Sequence, residues 1–532
     1  MASADKNFHQ AEKALLQGRF ADAIRLLDQL LEADPGNLAY LAKRGEAHLR
    51  NENYEAGLVD YAKVVEADNK NLTALINFAA ALIRCNQQEN AKEVLEYALE
   101  LDPQNYDAQI NLCNVFQSLG KPEEALRAAF RAIELRPAAA VAHNNLGTAL
   151  GDLNLVEESR QAFITANSLD PKFIPAAINL AQVEIKLGHF AEGARLYENV
   201  LKLPNITPNQ AELVRYYLGY AYLNQGQLDK GWDHYEFGFG PLLPRGALRS
   251  TRRFSQPRWN CEPLEGRTLL VWREQGLGDE IEFSTCLDDL AATGAKVILE
   301  TDARLIPVFR RQYPGFTVRG ERIGDDLFPA AADFDLQIPV GSLPRVFRRK
   351  REDFERQRPA WRVDPARAAE MQARLADHRG KRLVGICWRS GMFSVARNEN
   401  YTALADWSVL LTDPDLQFVN LQYGDCEQEL AEAEQSLGIR ILRWPDLDLK
   451  NDLEGVIALM AELDSVVSVG TAVCSLAGAV GARTFLLTKK VWMMLGEEKR
   501  YPWFPSVTPL LPTTGSHVGE RLKDLPALLH ST

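Results

Sequence analysis

At 532 residues and 59.5 kDa, the chain is longer than one core can organise and predicts about three domains. Its composition, 46% hydrophobic and 25% charged, excludes wholesale disorder. A net charge of −12 with a pI near 5.4 argues against nucleic acid as a partner.

The first residues carry no basic start followed by an apolar run, so no secretory signal is expected. From there a 34-residue period governs the N-terminal half. Asp34, Asp68, Asp102 and Asp170 fall on it, with Arg136 at the remaining position. Gly45, Ala79, Cys113, Gly147 and Ala181 form a second series of small residues. Each unit offers two amphipathic helices that touch at small residues and end at a breaker. The pattern resembles the tetratricopeptide repeat, with six units over residues 4–205 and a degenerate seventh to about 238. One unit cannot bury its apolar face alone, so stacking into a superhelix over 1–240 is expected. Asn77, Asn111, Asn145 and Asn179 recur at the same spacing on the first helix of four units. In the tetratricopeptide family that position faces the inner groove, and a ladder of amides there would bind an extended peptide backbone. O-linked N-acetylglucosamine transferases carry a similar ladder. The alternative is that Asn is merely common at this position.

Residues 241–264 read as a basic linker, with Arg245, Arg249, Arg252, Arg253 and Arg258. Beyond it, strands and helices alternate. Strands are expected at Leu269–Trp272, Lys296–Glu300 and Asp335–Ile338, and again at Leu383–Trp388, Gln417–Leu421, Ser465–Val469 and Arg483–Leu487. This predicts two doubly wound α/β domains, 265–366 and 367–532, facing each other across a cleft. The uncharged stretch 465–482 is too diluted by Ser, Thr and Gly for a membrane span and reads as a buried strand turning into a buried helix.

Several segments sharpen this. Glu274-Gln-Gly-Leu-Gly-Asp-Glu280 after a strand, and Ser468-Val-Gly-Thr-Ala-Val473 with Leu476-Ala-Gly478, resemble the heptosyltransferase-type GT-B glycosyltransferases. Ile386-Cys-Trp-Arg-Ser-Gly391, Phe418-Val-Asn-Leu-Gln-Tyr-Gly-Asp425, Asp446-Leu-Asp-Leu-Lys-Asn-Asp-Leu453 and Pro502-Trp-Phe-Pro505 are narrower. With the repeats, they are similar to bacterial tetratricopeptide glycosyltransferases that modify flagellin. That resemblance implies a GT-B region of two Rossmann-like domains and an inverting reaction independent of metal. It further implies a nucleotide-sugar donor, CMP-linked, whose sialic-acid-like nonulosonic acid goes to Ser/Thr of flagellin. N-acetylglucosaminyl or heptosyl transfer to another acceptor, or a non-catalytic adaptor with a decayed site, stay open as alternatives.

Within the family pattern, Asp279 matches the proposed base, and a helix N-cap is the competing role for it. Glu274 and Glu280 are the reserve acids. Gly276 and Gly278 shape that turn, and Gly470, Thr471 and Ala472 open a helix whose backbone N–H groups would cradle a phosphate. Arg389 and Arg397 would hold phosphate or a sugar carboxylate. Asn420 and Gln422, with Tyr423, end a strand where nucleotide or sugar is read. Relatives often carry Asp where Gly470 stands and His where Ser475 stands. The Asp446-Leu-Asp448 triplet resembles the DxD of metal-using transferases, but GT-B enzymes replace metal with helix dipole and basic groups, so no metal is expected. The eight histidines contain no HxxxH or HExxH pair, and no two of the seven cysteines lie within twenty residues, so zinc ligands and a disulfide framework are lacking. A cytoplasmic setting is expected.

Overall fold

The computed structural model describes the chain apart from residues 1, 240–248, 250–251, 253, 322–332, 356–359, 392–399, 514–515 and 532. Fourteen α-helices run from α1 (Ala2–Leu16) to α14 (Leu228–Tyr235). The period seen in the sequence has a local cause in each repeat. Asn37, Asn71 and Asn105 cap first helices, accepting the backbone N–H of Tyr40, Ala74 and Ala108 at 3.1–3.2 Å. The aspartates end the second helices and then turn the chain. Asp68, Asp102 and Asp170 each accept the N–H two residues on, at 3.2, 3.1 and 2.9 Å. The small residues let the helices of a pair touch. A Cβ on Gly147 would lie 2.6 Å from the Phe163 ring, and one on Gly45 2.9 Å from Tyr61.

The chain divides into two compact units. One is Met1–Leu187 with Lys202–Asn205; the other is Gly188–Leu201 with Ile206–Thr532. Packing therefore divides the chain ahead of residue 240, the boundary expected from the change in periodicity. The cause lies in the last helices: α12 (Phe190–Val200), α13 (Pro208–Asn224) and α14 belong to the second unit. Leu223, Trp232 and Tyr235 share one apolar core with Leu269, Phe283 and Trp503. The Trp232 indole donates to the Arg348 carbonyl at 2.8 Å.

Two parallel sheets form the rest of the second unit. The first contains β1 (Thr268–Trp272), β2 (Lys296–Thr301), β3 (Thr317–Gly320) and β4 (Leu336–Pro339), in the order β3-β2-β1-β4. The second contains β5 (Arg382–Cys387), β6 (Leu416–Asn420), β7 (Ser465–Val469), β8 (Thr484–Leu487) and β9 (Val507–Leu510), in the order β6-β5-β7-β8-β9. The architecture is an α-solenoid followed by two α/β halves. All seven expected strands are present; β3 and β9, both at sheet edges, are additional. Strand order reverses beside β1 and between β5 and β7, which marks the carboxyl ends of these strands as the place for ligands. Residues 465–482 are β7, a turn and the buried helix Ala472–Ala479. Among the described residues, no helix is long and apolar enough to cross a membrane.

Candidate functional site

The carboxyl end of β1 leads through Arg273–Gly276 into the short helix Leu277–Phe283. Gly276 is its N-cap and Asp279 its third residue, so Asp279 is not the cap that sequence offered as its alternative role. Its carboxylate reaches back to the Gly276 backbone N–H, the acidic half of a capping box. Burial, and then the charge of Glu274, push the Asp279 carboxyl up to about 6.

Glu280, next along, is deeply buried. Its carboxylate takes the Thr301 hydroxyl, the Asp302 N–H at 3.2 Å and the Arg273 guanidinium at 3.1 Å, and burial still pushes it up to about 7. Glu274 is consumed by a two-point ion pair with Arg249, whose guanidinium lies 4.3 Å from the Tyr235 ring centre and 3.9 Å from that of Phe239. The linker arginines serve as counter-ions here: Arg252 pairs with Glu300 at 2.7 Å, and Arg258 with Glu236. Arg245 and Arg253 lie outside the described residues.

The β1 turn faces the helix Ala472–Ala479 of the second sheet. A Cβ on Gly278 would stand 3.6 Å from the Ala472 Cα and 3.5 Å from the Ser475 hydroxyl, so glycine here allows the two loops to meet. Space around the Gly470 Cα is open. Thr471 is the N-cap of that helix and gives no side-chain capping bond; its hydroxyl lies 3.6 Å from Cys387 Sγ and 3.4 Å from the Ser468 hydroxyl. The first backbone N–H groups of the helix are thus left without a side-chain cap at the point where the two halves meet.

One residue absent from the sequence reading joins these parts. Glu282, on the Leu277–Phe283 helix, takes the Ser475 hydroxyl at 3.0 Å and the Tyr501 hydroxyl, both from the second half. Burial, and then the charge of Asp279, push its carboxyl up to about 8. The signal in sequence was its spacing, three residues from Asp279, together with its position between Ile281 and Phe283. Ser475, read as a departure from the family, is spent on this contact.

Several expected ligand residues turn out to splint the fold. Arg389 forms a two-point pair with Glu429 and donates to the Asp425 carbonyl at 2.6 Å. The Gln422 amide oxygen accepts the N–H groups of Trp388 and Arg389 at 3.2 and 3.0 Å, tying the end of β5 to that of β6. Asn420 turns the chain by accepting the Gln422 N–H at 3.0 Å. Arg397 lies outside the described residues. Beside these, at the carboxyl end of β6, a cavity of about 370 Å³ is lined by Tyr423, Arg443, Trp444, Asp448 and Lys450, together with Gln422. Sequence reasoning did not single out Arg443 or Trp444. Of the acidic triplet, Asp446 pairs with Arg374 at 2.6 Å, and Asp448 closes a turn by accepting the Lys450 and Asn451 N–H groups.

In the first unit the Asn series is partly internal. Asn145 is buried and donates to Asn114 at 2.8 Å, while Asn179 donates to Asn144 at 2.9 Å. Asn77 bonds the Tyr61 hydroxyl, and Asn111 is half-buried on α7 (Tyr106–Ser118).

Family models described as tetratricopeptide repeat match residues 9–71 and 178–236, 89–146, and 72–105. These helices are tetratricopeptide repeats. Among curated proteins, the chain is similar to "Protein FlbA" of Caulobacter vibrioides, 34% identical over 350 residues. That alignment covers 63% of this chain and 58% of the relative, so the chain spans less than two thirds of that protein's length. Among solved structures, MamA protein is 24% identical over 32% of this chain and 94% of its own, with a TM-score of 0.30. A tetratricopeptide repeat protein from Parabacteroides merdae is 17% identical over 45% and 95%, with a TM-score of 0.39. TTC0263 from Thermus thermophilus is 16% identical over 34% and 99%, with a TM-score of 0.31.

Proposed function

We propose that the second unit is a GT-B-type, inverting glycosyltransferase and that the repeats recruit its protein acceptor. The observation that carries this reading is the meeting of the Gly276–Asp279 turn with the start of the Ala472–Ala479 helix, at the carboxyl ends of β1 and β7. In the reaction, Asp279 takes the proton of a Ser or Thr hydroxyl as the oxygen attacks the anomeric carbon. The bond from that carbon to the donor phosphate breaks, and the phosphate leaves with the electron pair. Backbone N–H groups at Ala472 receive the growing negative charge. The cavity at the end of β6 suits the nucleotide, with Trp444 and Tyr423 for the base and Arg443 and Lys450 for charge. The acidic triplet is already held by Arg374 and by its own turn, in keeping with a reaction that does not call on it for metal.

On the resemblance to flagellin-modifying transferases, the acceptor is flagellin and the donor a CMP-linked nonulosonic acid. The test is intact-mass analysis of the acceptor after co-expression in the cytoplasm, because the added mass names the sugar. A second reading, a non-catalytic adaptor, is favoured by the internal engagement of Arg389, Asn420 and Gln422. It predicts acceptor binding with no added mass under any activated sugar.

A further inference from the structure

The helix Leu277–Phe283 places two carboxyls three residues apart on neighbouring positions of one face, Asp279 and Glu282. Among the described residues, the second hydrogen-bonds across to the other α/β half. Ser475 comes from the Ala472–Ala479 helix, and Tyr501 from the segment between β8 and β9. Both donors converge on the same oxygen, Oε1. Resting on the reading of Asp279 as base, we propose that Glu282 is its positioning residue: by taking the Ser475 and Tyr501 hydroxyls it fixes the helix face on which Asp279 stands.

The surroundings determine which form of Glu282 does this. Asp279 faces it from its own helix, Ser475 and Cys474 from the Ala472–Ala479 helix, and Tyr501 from the segment ahead of β9. No cationic partner of Glu282 occurs among the hydrogen bonds and ion pairs of the described residues, and the Tyr501 hydroxyl is held far above its ordinary range by burial and so stays a donor. Burial thus pushes the Asp279 carboxyl up to about 6 and the Glu282 carboxyl further, to about 8, so Glu282 keeps its proton to the higher pH. Between them, Asp279 is ionised while Glu282 is neutral. Above the higher value, two like charges would share one short helix face with little solvent to screen them.

Two variants test this. Glu282→Gln keeps the accepting oxygen and copies the neutral form; Glu282→Ala removes the contact. Transfer by Glu282→Gln should stay within about threefold of wild type at pH 7, and wild type should decline above about pH 8 where Glu282→Gln does not. Glu282→Ala should lower kcat by about tenfold or more with the donor KM unchanged, because a displaced base loses its reacting geometry. A Glu282→Gln profile with the wild-type alkaline limb, or a Glu282→Ala kcat equal to wild type, would overturn the proposal. A second readout needs no activity. The folded-state carboxyl is raised, so its contribution to stability is lost as pH rises from its ordinary range to about 8. The melting temperature of Glu282→Gln should pull ahead of wild type across that window and level off above it. A gap that stays constant with pH overturns the assignment even if no donor supports transfer, whereas a widening gap without transfer on any donor sinks only the transferase reading.

Discussion

Asp279 separates two roles on a single substitution. Asp279→Asn keeps an oxygen for the Gly276 N–H but cannot take a proton. We expect the melting temperature at pH 7 to hold or rise, since the variant removes a carboxyl that burial has pushed up, while transfer falls at least about a hundredfold. A variant that transfers at the wild-type rate would leave Asp279 as half of a capping box and no more. The same helix governs the pH response of the fold. Asp279, Glu280 and Glu282 all bind protons more tightly folded than unfolded, so the folded state holds more protons between about pH 4 and 8. These three carboxyls lower stability as pH rises through that range, the reverse of the usual salt-bridged carboxylate, whereas His48 and His234, held below their ordinary range by burial, act the other way up to about pH 6.5. Calorimetry across about pH 6.5 to 8, where the carboxyls act alone, checks the sign. Among single residues, the place of Asp279 in the turn after β1 was legible because a motif after a strand marks it. Glu282 was not, since its partners Ser475 and Tyr501 lie far along the chain. The internal contacts of Arg389 and Gln422 were not legible for a physical reason: a polar side chain at a strand end can serve a ligand or the chain's own backbone equally well, and spacing does not distinguish the two.

At the scale of the element, periodicity carried most of the information. The small-residue series can be tested at Gly147, whose missing Cβ makes room for the buried Phe163 ring. Gly147→Ala gains up to about 1 kcal/mol of helix propensity but forces the ring aside, at a cost of about 1–3 kcal/mol. Urea unfolding should show net destabilisation, and Phe163→Leu in the same chain should relieve part of it. The Asn series shows where periodicity stops. It located Asn145 and Asn179 correctly on α9 (Ala140–Asp152) and α11 (Ile174–Lys186), but not that Asn114 and Asn144, off the period, take their amide protons. The edge strands β3 and β9 left no signal, being four residues each and interrupted by exposed or half-buried positions, unlike the wholly buried four of β8.

For the whole molecule, the informative boundary is the one the change in periodicity does not mark. Helices α12 to α14 read as repeats yet belong to the second unit, and α13 and α14 pack into its α/β core, with Trp232 and Tyr235 fully buried there. A fragment ending at residue 240 would strand these rings in water, whereas one ending at 187 leaves them with their partners. We expect the 1–187 fragment to be helical and monodisperse, and the 1–240 fragment to bind an apolar dye or aggregate. Conversely, a fragment beginning at 188 should fold cooperatively and one beginning at 241 should not. Equal behaviour of the two N-terminal fragments would show that the shared core contributes little.

The Trp232 indole, bonded to the Arg348 carbonyl, ties the final repeats to the α/β halves of their own unit. Whole 34-residue modules upstream of Leu187 should then be open to gain, loss or exchange without disturbing the core that Trp232 and Tyr235 share with the α/β halves. Lineages would be expected to differ in the number of modules ahead of that junction, while α12 to α14 stay with the α/β unit.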